Sequence, residues 1–565
     1  MKDQSGIIIS IGSLVALLFR FPYSIINRVR ARCRIRFHQL RLNLPWSNQF
    51  SYPAGLSRVL LLVPLLSFTL VACGTLKPEL GPMALIETRV QPEIQFDSSN
   101  QSQHEDPINS DKILKASRSG AFVAQGATVL VETALIDPII RPFSMAKAYY
   151  GLAIKTVGGL IHRSAINQVQ FPTLELEPIP TVKNAPAMNL EAWEQELDKI
   201  TGIKSNLGEI EFLIDGDEYF SRLEEAFNEA EDTIDIRTYI FDNDDVGLEF
   251  ADILKHKSTQ VDVKVLIDGL GDLVATHTDS ESMPADVNLP SSITDYLKHD
   301  SKVRVHVQSN PWFTGDHVKT TIIDDNLAFV GGMNIGREYR YDWHDMMMEV
   351  SGPVVKQLQF EFDKTWAKSG VLGDLALMSR SLRGYKRETG QTGYPIRVLT
   401  TSIQNSEIHR TQIAAIRSAQ NRIYLQNAYF SDDIILYELA KARRRGVDVR
   451  VIVSAGNDNA AMKMSNESTI NTMLENGIRV YSYPGMTHLK AAVYDGWACL
   501  GSANFDKISL HINQEINFGT SHPGTVQKLL DRVFIPDFAL ATELDTAIPL
   551  RWTHRIAEVI ADEIL

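Results

Sequence analysis

Cysteine is scarce in these 565 residues: Cys33, Cys73 and Cys499 are the whole complement, which excludes a disulfide-built scaffold. The histidines are scattered, without the close His or Cys companions that metal-binding motifs use, so neither a metal nor a cofactor is expected. Long apolar runs are also missing. The two best, Ile7–Leu18 and Val59–Leu70, are short against a membrane span of roughly twenty residues, and Pro64 interrupts the second. Positive charge is missing where it would matter for nucleic acid. Residues 1–72 hold nine Lys/Arg and one acidic residue, but the remainder holds 47 Lys/Arg against 68 Asp/Glu, a balance of −21. Phosphate backbones reward clustered cations, so no nucleic-acid partner is expected of so acidic a body.

What the amino terminus does have is the pattern of export. Arg58, the apolar run Val59–Leu70 and the sequence Leu70-Val71-Ala72-Cys73 give a positive flank, a short apolar core and small residues before a cysteine. This resembles a bacterial lipoprotein signal, with Cys73 as the lipidated residue. The extra residues before it allow two readings: a start codon further along the chain, or two short membrane segments around the Arg-rich stretch Arg20–Arg41. Both leave Arg20–Arg58 inside and everything beyond residue 73 outside, in the cell envelope. Residues 1–72 are therefore read as a signal or membrane-anchor region. Residues 73–190 are read as a polar tether (90–112) followed by a helical region (119–162). Those helices either lie on a membrane surface or pack against the body. A Pro-rich stretch, Phe171–Met188, closes the region.

From about residue 205 the text becomes α/β, and it repeats. Thr233–Phe241 is echoed by Arg422–Phe430, and Val261–Asp268 by Val447–Ser454, with a helical pattern between the two strands in each case. Strand–helix–strand alternation predicts two similar halves, 205–370 and 395–540, each a mixed, largely parallel β-sheet flanked by helices. A C-terminal helix is expected over 541–565.

The repeat also carries chemistry. The first copy reads His317-Val318-Lys319, then Asp324, then Gly331-Gly332-Met333-Asn334; the second reads His488-Leu489-Lys490, then Asp495, then Gly501-Ser502-Ala503-Asn504. Each has a carboxylate eleven residues beyond its Asn, Asp345 and Glu515. His and Lys two apart on an extended strand share a face. The second copy is one residue shorter before its glycines, where Asp495-Gly496 predicts a two-residue hairpin. A neutral imidazole can attack phosphorus while a second imidazolium protonates the departing alcohol. Lysines and Asn amides can hold the non-bridging oxygens, and a carboxylate accepting the other ring N–H fixes each tautomer. The expected catalytic set is therefore His317, Lys319, Asn334, Asp345, His488, Lys490, Asn504 and Glu515, at the interface between the halves. Asp324 and Asp495 are expected to anchor turns and Gly331, Gly332 and Gly501 to let the backbone come close to a ligand, with Ser502 part of the same structural motif. His344 and His511 lie near the repeats without belonging to them.

On these motifs the chain resembles the phospholipase D superfamily, most closely its bacterial cardiolipin synthase branch, over about 205–540. The supporting matches are Asn334-Ile335-Gly336, Asp345 ahead of Gly352-Pro353, and Ser509, Asn513 and Glu515. The resemblance implies His317 as nucleophile, His488 as acid and then base, and a phospholipid substrate at a membrane surface. Departures are Val318, where many relatives carry Arg, Asp316 before the first His, and an amino terminus unlike the paired membrane helices of those synthases. Transfer to a second phosphatidylglycerol would give cardiolipin, and transfer to water would give phosphatidic acid. Two rivals are an envelope nuclease of the same superfamily, disfavoured by the acidic body, and an inactive binding module, disfavoured by two complete motifs.

Overall fold

The computed structural model describes residues 126–551 and 554, apart from residue 130 and the short segments 278–279, 281, 285, 310–313, 386–391 and 457–459. The expected signal or anchor, Cys73 and the tether lie outside the described residues, as does 555–565.

The first repeat contributes β1 (Asn206–Ile214), β2 (Thr233–Thr238), β3 (Asp262–Asp268), β4 (Arg304–Gln308), β5 (Thr320–Ile323), β6 (Leu327–Gly331) and β7 (Met346–Ser351). The second contributes β8 (Tyr394–Ser402), β9 (Asn405–Ser406), β10 (Arg422–Asn427), β11 (Asp448–Ser454), β12 (Arg479–Tyr483), β13 (Lys490–Tyr494), β14 (Trp497–Gly501), β15 (Glu515–Thr520) and β16 (Thr542–Leu544). They form one sheet in the order β16-β12-β11-β10-β13-β14-β15-β8-β1-β7-β6-β5-β2-β3-β4, with β9 paired to β8. The order runs outward from the β8–β1 pair in the same sequence on both sides, so the repeat in the text is a repeat in space.

The expectation of a largely parallel sheet needs correction. Parallel pairing is confined to β2-β3-β4 and β10-β11-β12, and the other described strand pairs are antiparallel. The strand–helix–strand text covers only those three-strand units, joined through helices Asp245–Lys257 and Asp433–Arg445. The rest is hairpins, which need no crossover helix. The carboxyl-terminal expectation also changes. Residues 542–544 are an edge strand paired to β12, not the start of a helix.

The motif strands begin later than the alternation suggested, at Thr320 and Lys490, so each His sits just ahead of its strand. The residue between His and Lys points the other way. Val318 and Leu489 are buried in a core shared by both repeats, with Ile322, Val330, Val493 and Leu500. Val318 thus fills apolar space between the halves. The two turns differ as the one-residue gap requires: Ile323 pairs with Leu327 across three residues, and Tyr494 with Trp497 across two.

The helical region ahead of the body packs against it. Asp374 accepts hydrogen bonds from the backbone of Phe143 (2.7 Å) and Ser144 (2.9 Å) at the start of helix Pro142–Ala165. Arg141 reaches the carbonyls of Lys368 (2.9 Å) and Ser369 (3.0 Å), and Phe171 meets Tyr437 edge-on. No helix among the described residues is long and apolar enough to cross a membrane.

Candidate active site

The motif segments of the two repeats are stitched together by backbone. Gln514 N donates to Gly315 O (2.9 Å) and His317 N to Gln514 O (3.0 Å). His344 N donates to Met486 O (3.0 Å) and His488 N to His344 O (2.7 Å). Each histidine of one repeat therefore lies against the carboxylate-bearing segment of the other.

The carboxylates are crossed accordingly. His488 Nδ1 lies 2.7 Å from Asp345 Oδ2, and His317 Nδ1 lies 3.0 and 3.1 Å from the two oxygens of Glu515. An imidazole that donates Nδ1–H to a carboxylate keeps Nε2 unprotonated for chemistry. Both carboxylates are buried, and His488 is more enclosed than His317. Ser502 donates to Glu515 (2.6 Å). Its counterpart Gly332 has no room for a side chain, because a Cβ there would come within 2.3 Å of Asp345 Oδ1.

Lys319 and Lys490 are buried, and each ammonium returns to the backbone carbonyl of its own histidine, Lys319 at 2.9 Å. Burial and, secondarily, the two lysines hold His317 well below its usual pKa, and His488 is lowered to about 4 by burial first and Lys490 next. Burial lowers Lys319 to about 7 and raises Glu515 to about 8. Both imidazoles are thus neutral in the free site, beside two buried lysines. A phosphodiester placed between the lysines would offset their repulsion of His488 and make its protonation easier.

Asn334 is held by Tyr339, to which its amide donates (2.6 Å), and by the backbone N–H of Ile240, which it accepts (3.0 Å). The Oδ1 of its counterpart, Asn504, is buried with no hydrogen-bond partner among the described residues. Asp324 and Asp495 lie at the turns, both with positive φ (49° and 53°). Asp324 accepts from the backbone of Glu231, Asp232 and Thr233, and Asp495 from that of Met188, Gln420, Asn421 and Arg422. A Cβ at Gly331 or Gly501 would collide with the neighbouring strand, at 2.4 Å from Met346 O or 2.3 Å from Ile516 O.

Sequence reasoning missed the aromatic surround. Tyr239 lies edge-on to His317 (5.0 Å between centroids), and Tyr339 (5.7 Å), Trp343 (5.2 Å) and Tyr429 (6.5 Å) surround His488. Tyr239 and Tyr429 follow the equivalent strands β2 and β10 but stand one position apart in the echoed text, opposite Ala428 and Ile240, so no recurring letter marked them. Asp316, the unusual neighbour of His317, makes a buried ion pair with Arg237 (2.7 Å), which also donates to Gln514 (3.0 Å). His344 lies outside the catalytic pairs, bridging Asp215 (2.6 Å) and Asp537 (2.9 Å).

Three kinds of similarity accompany this geometry. The family described as "Cardiolipin synthase, PLD-like domain" matches residues 223–366 and 412–535. A cardiolipin synthase of Geobacillus kaustophilus is 30% identical over 344 residues, 59% of this chain and 66% of that protein, so the match spans just under two thirds of it. Cardiolipin synthase B of Salmonella typhi is 30% identical over 55% of this chain and 75% of its own length. Among solved structures, phosphatidylserine synthase of Haemophilus influenzae Rd KW20 superposes with a TM-score of 0.51 at 17% identity. That match covers 66% of this chain and 100% of the other, and it is a likeness of fold.

Proposed function

The chain belongs to the phospholipase D superfamily, in its cardiolipin synthase-like branch, and we propose that it transfers phosphatidyl groups between alcohols through a phosphohistidine. The observation that carries this reading is the crossed pair of histidine–carboxylate contacts, with a buried lysine beside each histidine.

In the first step His317 Nε2 attacks the phosphorus of a phospholipid phosphodiester. The P–O bond to the headgroup alcohol breaks, and His488 gives that oxygen its proton. Lys319 and Lys490 hold the non-bridging oxygens, with Asn334 and Asn504 beside them, where charge redistributes in the transition state. The result is a phosphatidyl–His317 adduct. In the second step His488, now neutral, takes the proton of an acceptor alcohol, whose oxygen attacks phosphorus and frees His317. With phosphatidylglycerol as both donor and acceptor the product is cardiolipin, and glycerol leaves.

The substrate lies in a bilayer, so the protein must work at a membrane surface. Helices Pro142–Ala165 and Gly373–Arg383 touch one another, and they leave Phe143, Tyr150, Ile154, Leu375, Met378 and Leu382 exposed. These residues support a lipid-facing side of the body. With Cys73 and the apolar runs ahead of it, they fit a protein held in the cell envelope with its body outside the cytoplasm.

The full chain, in mixed micelles of phosphatidylglycerol and phosphatidylethanolamine, tests the reaction when products are identified by mass. Cardiolipin with released glycerol or ethanolamine is the expected result and names the donor. Phosphatidic acid alone would replace the transferase with a hydrolase.

A further inference from the structure

Away from the catalytic pairs, the second repeat gathers His409, Asp432 and His511, whose ligand atoms all lie within 4.8 Å of one another. They come from three elements: helix Glu407–Ser418, the residue capping helix Asp433–Arg445, and the end of helix Lys507–His511. We propose that this trio binds one divalent transition ion of the zinc class, outside the catalytic machinery and in a structural role.

The distances favour an ion over a hydrogen-bonded triad. His409 Nε2 is 3.6 Å from Asp432 Oδ1, and His511 Nε2 is 3.5 Å from Asp432 Oδ2. A charge-assisted N–H···O bond closes to about 2.7–2.9 Å, so neither contact is a good one. Ligands at about 2.0–2.1 Å from a tetrahedral ion stand roughly 3.3 Å apart, close to the His511 Nε2–Asp432 Oδ2 separation, and all three ligand atoms lie within 4.8 Å of one another. His409 Nε2 is buried and has no hydrogen-bond partner among the described residues, a cost that a bound cation removes.

The surroundings fit the same assignment. Asp432 Oδ1 already accepts from Ile435 N (2.8 Å), which leaves Oδ2 for the ion. Ser406 Oγ lies 3.1 Å from His511 Nδ1 and also accepts from Lys155. Donation of Nδ1–H to that hydroxyl exposes the Nε2 lone pair, the outer-sphere arrangement usual for a ligating histidine. His409 lines a cleft of about 660 Å³ with Glu196, Arg410 and Ile434, which offers an entry path and space for a water as fourth ligand. Lys155 and Arg410 are the nearby cations, and Asp432 is the carboxylate that faces both imidazoles.

An ion here would tie helix Lys507–His511 to the two helices behind it. That helix leads directly to Asn513, whose side chain accepts from Gly315 N (2.9 Å), and to Glu515, which holds His317. The ion would therefore buttress the segment that positions His317 without touching substrate.

The experiment uses the full chain in detergent micelles, stripped with chelator, then titrated with Zn²⁺ while bound metal and thermal midpoint are followed. The expected result is about one ion per chain and a raised midpoint, both retained when His317 and His488 are replaced by Asn. His409→Gln and His511→Gln, checked for folding by circular dichroism, should each weaken binding roughly tenfold or more. Co²⁺ in the unaltered protein should give the visible absorption of a low-symmetry N/O site, which needs no variant. Failure of both ions to bind overturns the proposal, and so does binding unaffected by the Gln variants. Binding abolished by the Asn pair alone would place the ion at the catalytic histidines and equally overturn it.

Discussion

Asp345, from the first repeat, holds His488 of the second across 2.7 Å, and Glu515 returns the contact to His317. The crossing makes each half-site incomplete alone. A single repeat would carry a histidine with no carboxylate on its Nδ1 and a buried carboxylate with no histidine to orient. The backbone bonds His488 N to His344 O and His317 N to Gln514 O fix the crossing before any side chain is considered. Duplication with exchange of carboxylates is thus what turns two similar folds into one site.

Asp345→Asn tests the consequence. The amide keeps the shape but can donate to Nδ1, which favours the wrong tautomer of His488. Turnover should fall about 10²–10⁴-fold with KM little changed, in line with such changes elsewhere. Steady-state kinetics with the thermal midpoint in parallel would check it. A drop in KM affinity with turnover intact would instead assign Asp345 to substrate binding.

The division of labour between the histidines predicts an asymmetric trap. With a substrate whose leaving alcohol is acidic enough to depart unaided, His488→Gln should still form the adduct but resolve it slowly. Intact-mass measurement should then find a phosphatidyl group on His317. His317→Gln should show no adduct under the same conditions. An adduct on His488 in that second variant would reverse the two roles.

Much of this was legible because spacing survives duplication: the two motif texts, their Gly-x-x-Asn trailers and the acids at equal offsets marked equivalent positions. The equal offsets could not reveal that Asp345 serves His488, since strand pairing between the repeats decides it. The antiparallel share of the sheet was hidden for a related reason. Apart from the β13–β14 hairpin that Asp495-Gly496 announced, antiparallel pairs such as β15 with β8 and β1 with β7 join strands far apart in sequence, and β15 is buried throughout, without the polar alternation that marks a solvated antiparallel strand. The cluster of His409, Asp432 and His511 depends on three segments far apart in sequence, so no local motif could announce it.

His344 gives a pH dependence of stability. Despite burial, its contacts with Asp215 and Asp537 raise its pKa to about 9, against an ordinary value of 6.5. A raised folded-state pKa stabilises fully below the unfolded value and loses that contribution as pH climbs through the folded one. Stability from this residue should therefore be complete below about pH 6.5 and fade toward pH 9, a difference on the order of 3 kcal/mol. Denaturant midpoints at pH 6 and pH 9.5 would measure it, and His344→Asn should flatten the slope. An unchanged slope in that variant would assign the alkaline loss to other groups.

The turn carboxylates should separate stability from chemistry. Asp495 is buried and accepts four backbone N–H groups, from Met188, Gln420, Asn421 and Arg422, whereas Asp324 is more exposed and accepts three. Alanine at either site strands those donors and forces a non-glycine, non-Asp residue into positive φ. Water can reach the donors around Asp324, but those around Asp495 are enclosed. Asp495→Ala should therefore cost several kcal/mol, on the order of 3–5, and Asp324→Ala about 1–3. Urea midpoints should fall in that order while turnover per folded molecule stays within a few-fold. If Asp324→Ala abolished turnover in protein that remained folded, Asp324 would have to be moved from the turn into the catalytic set.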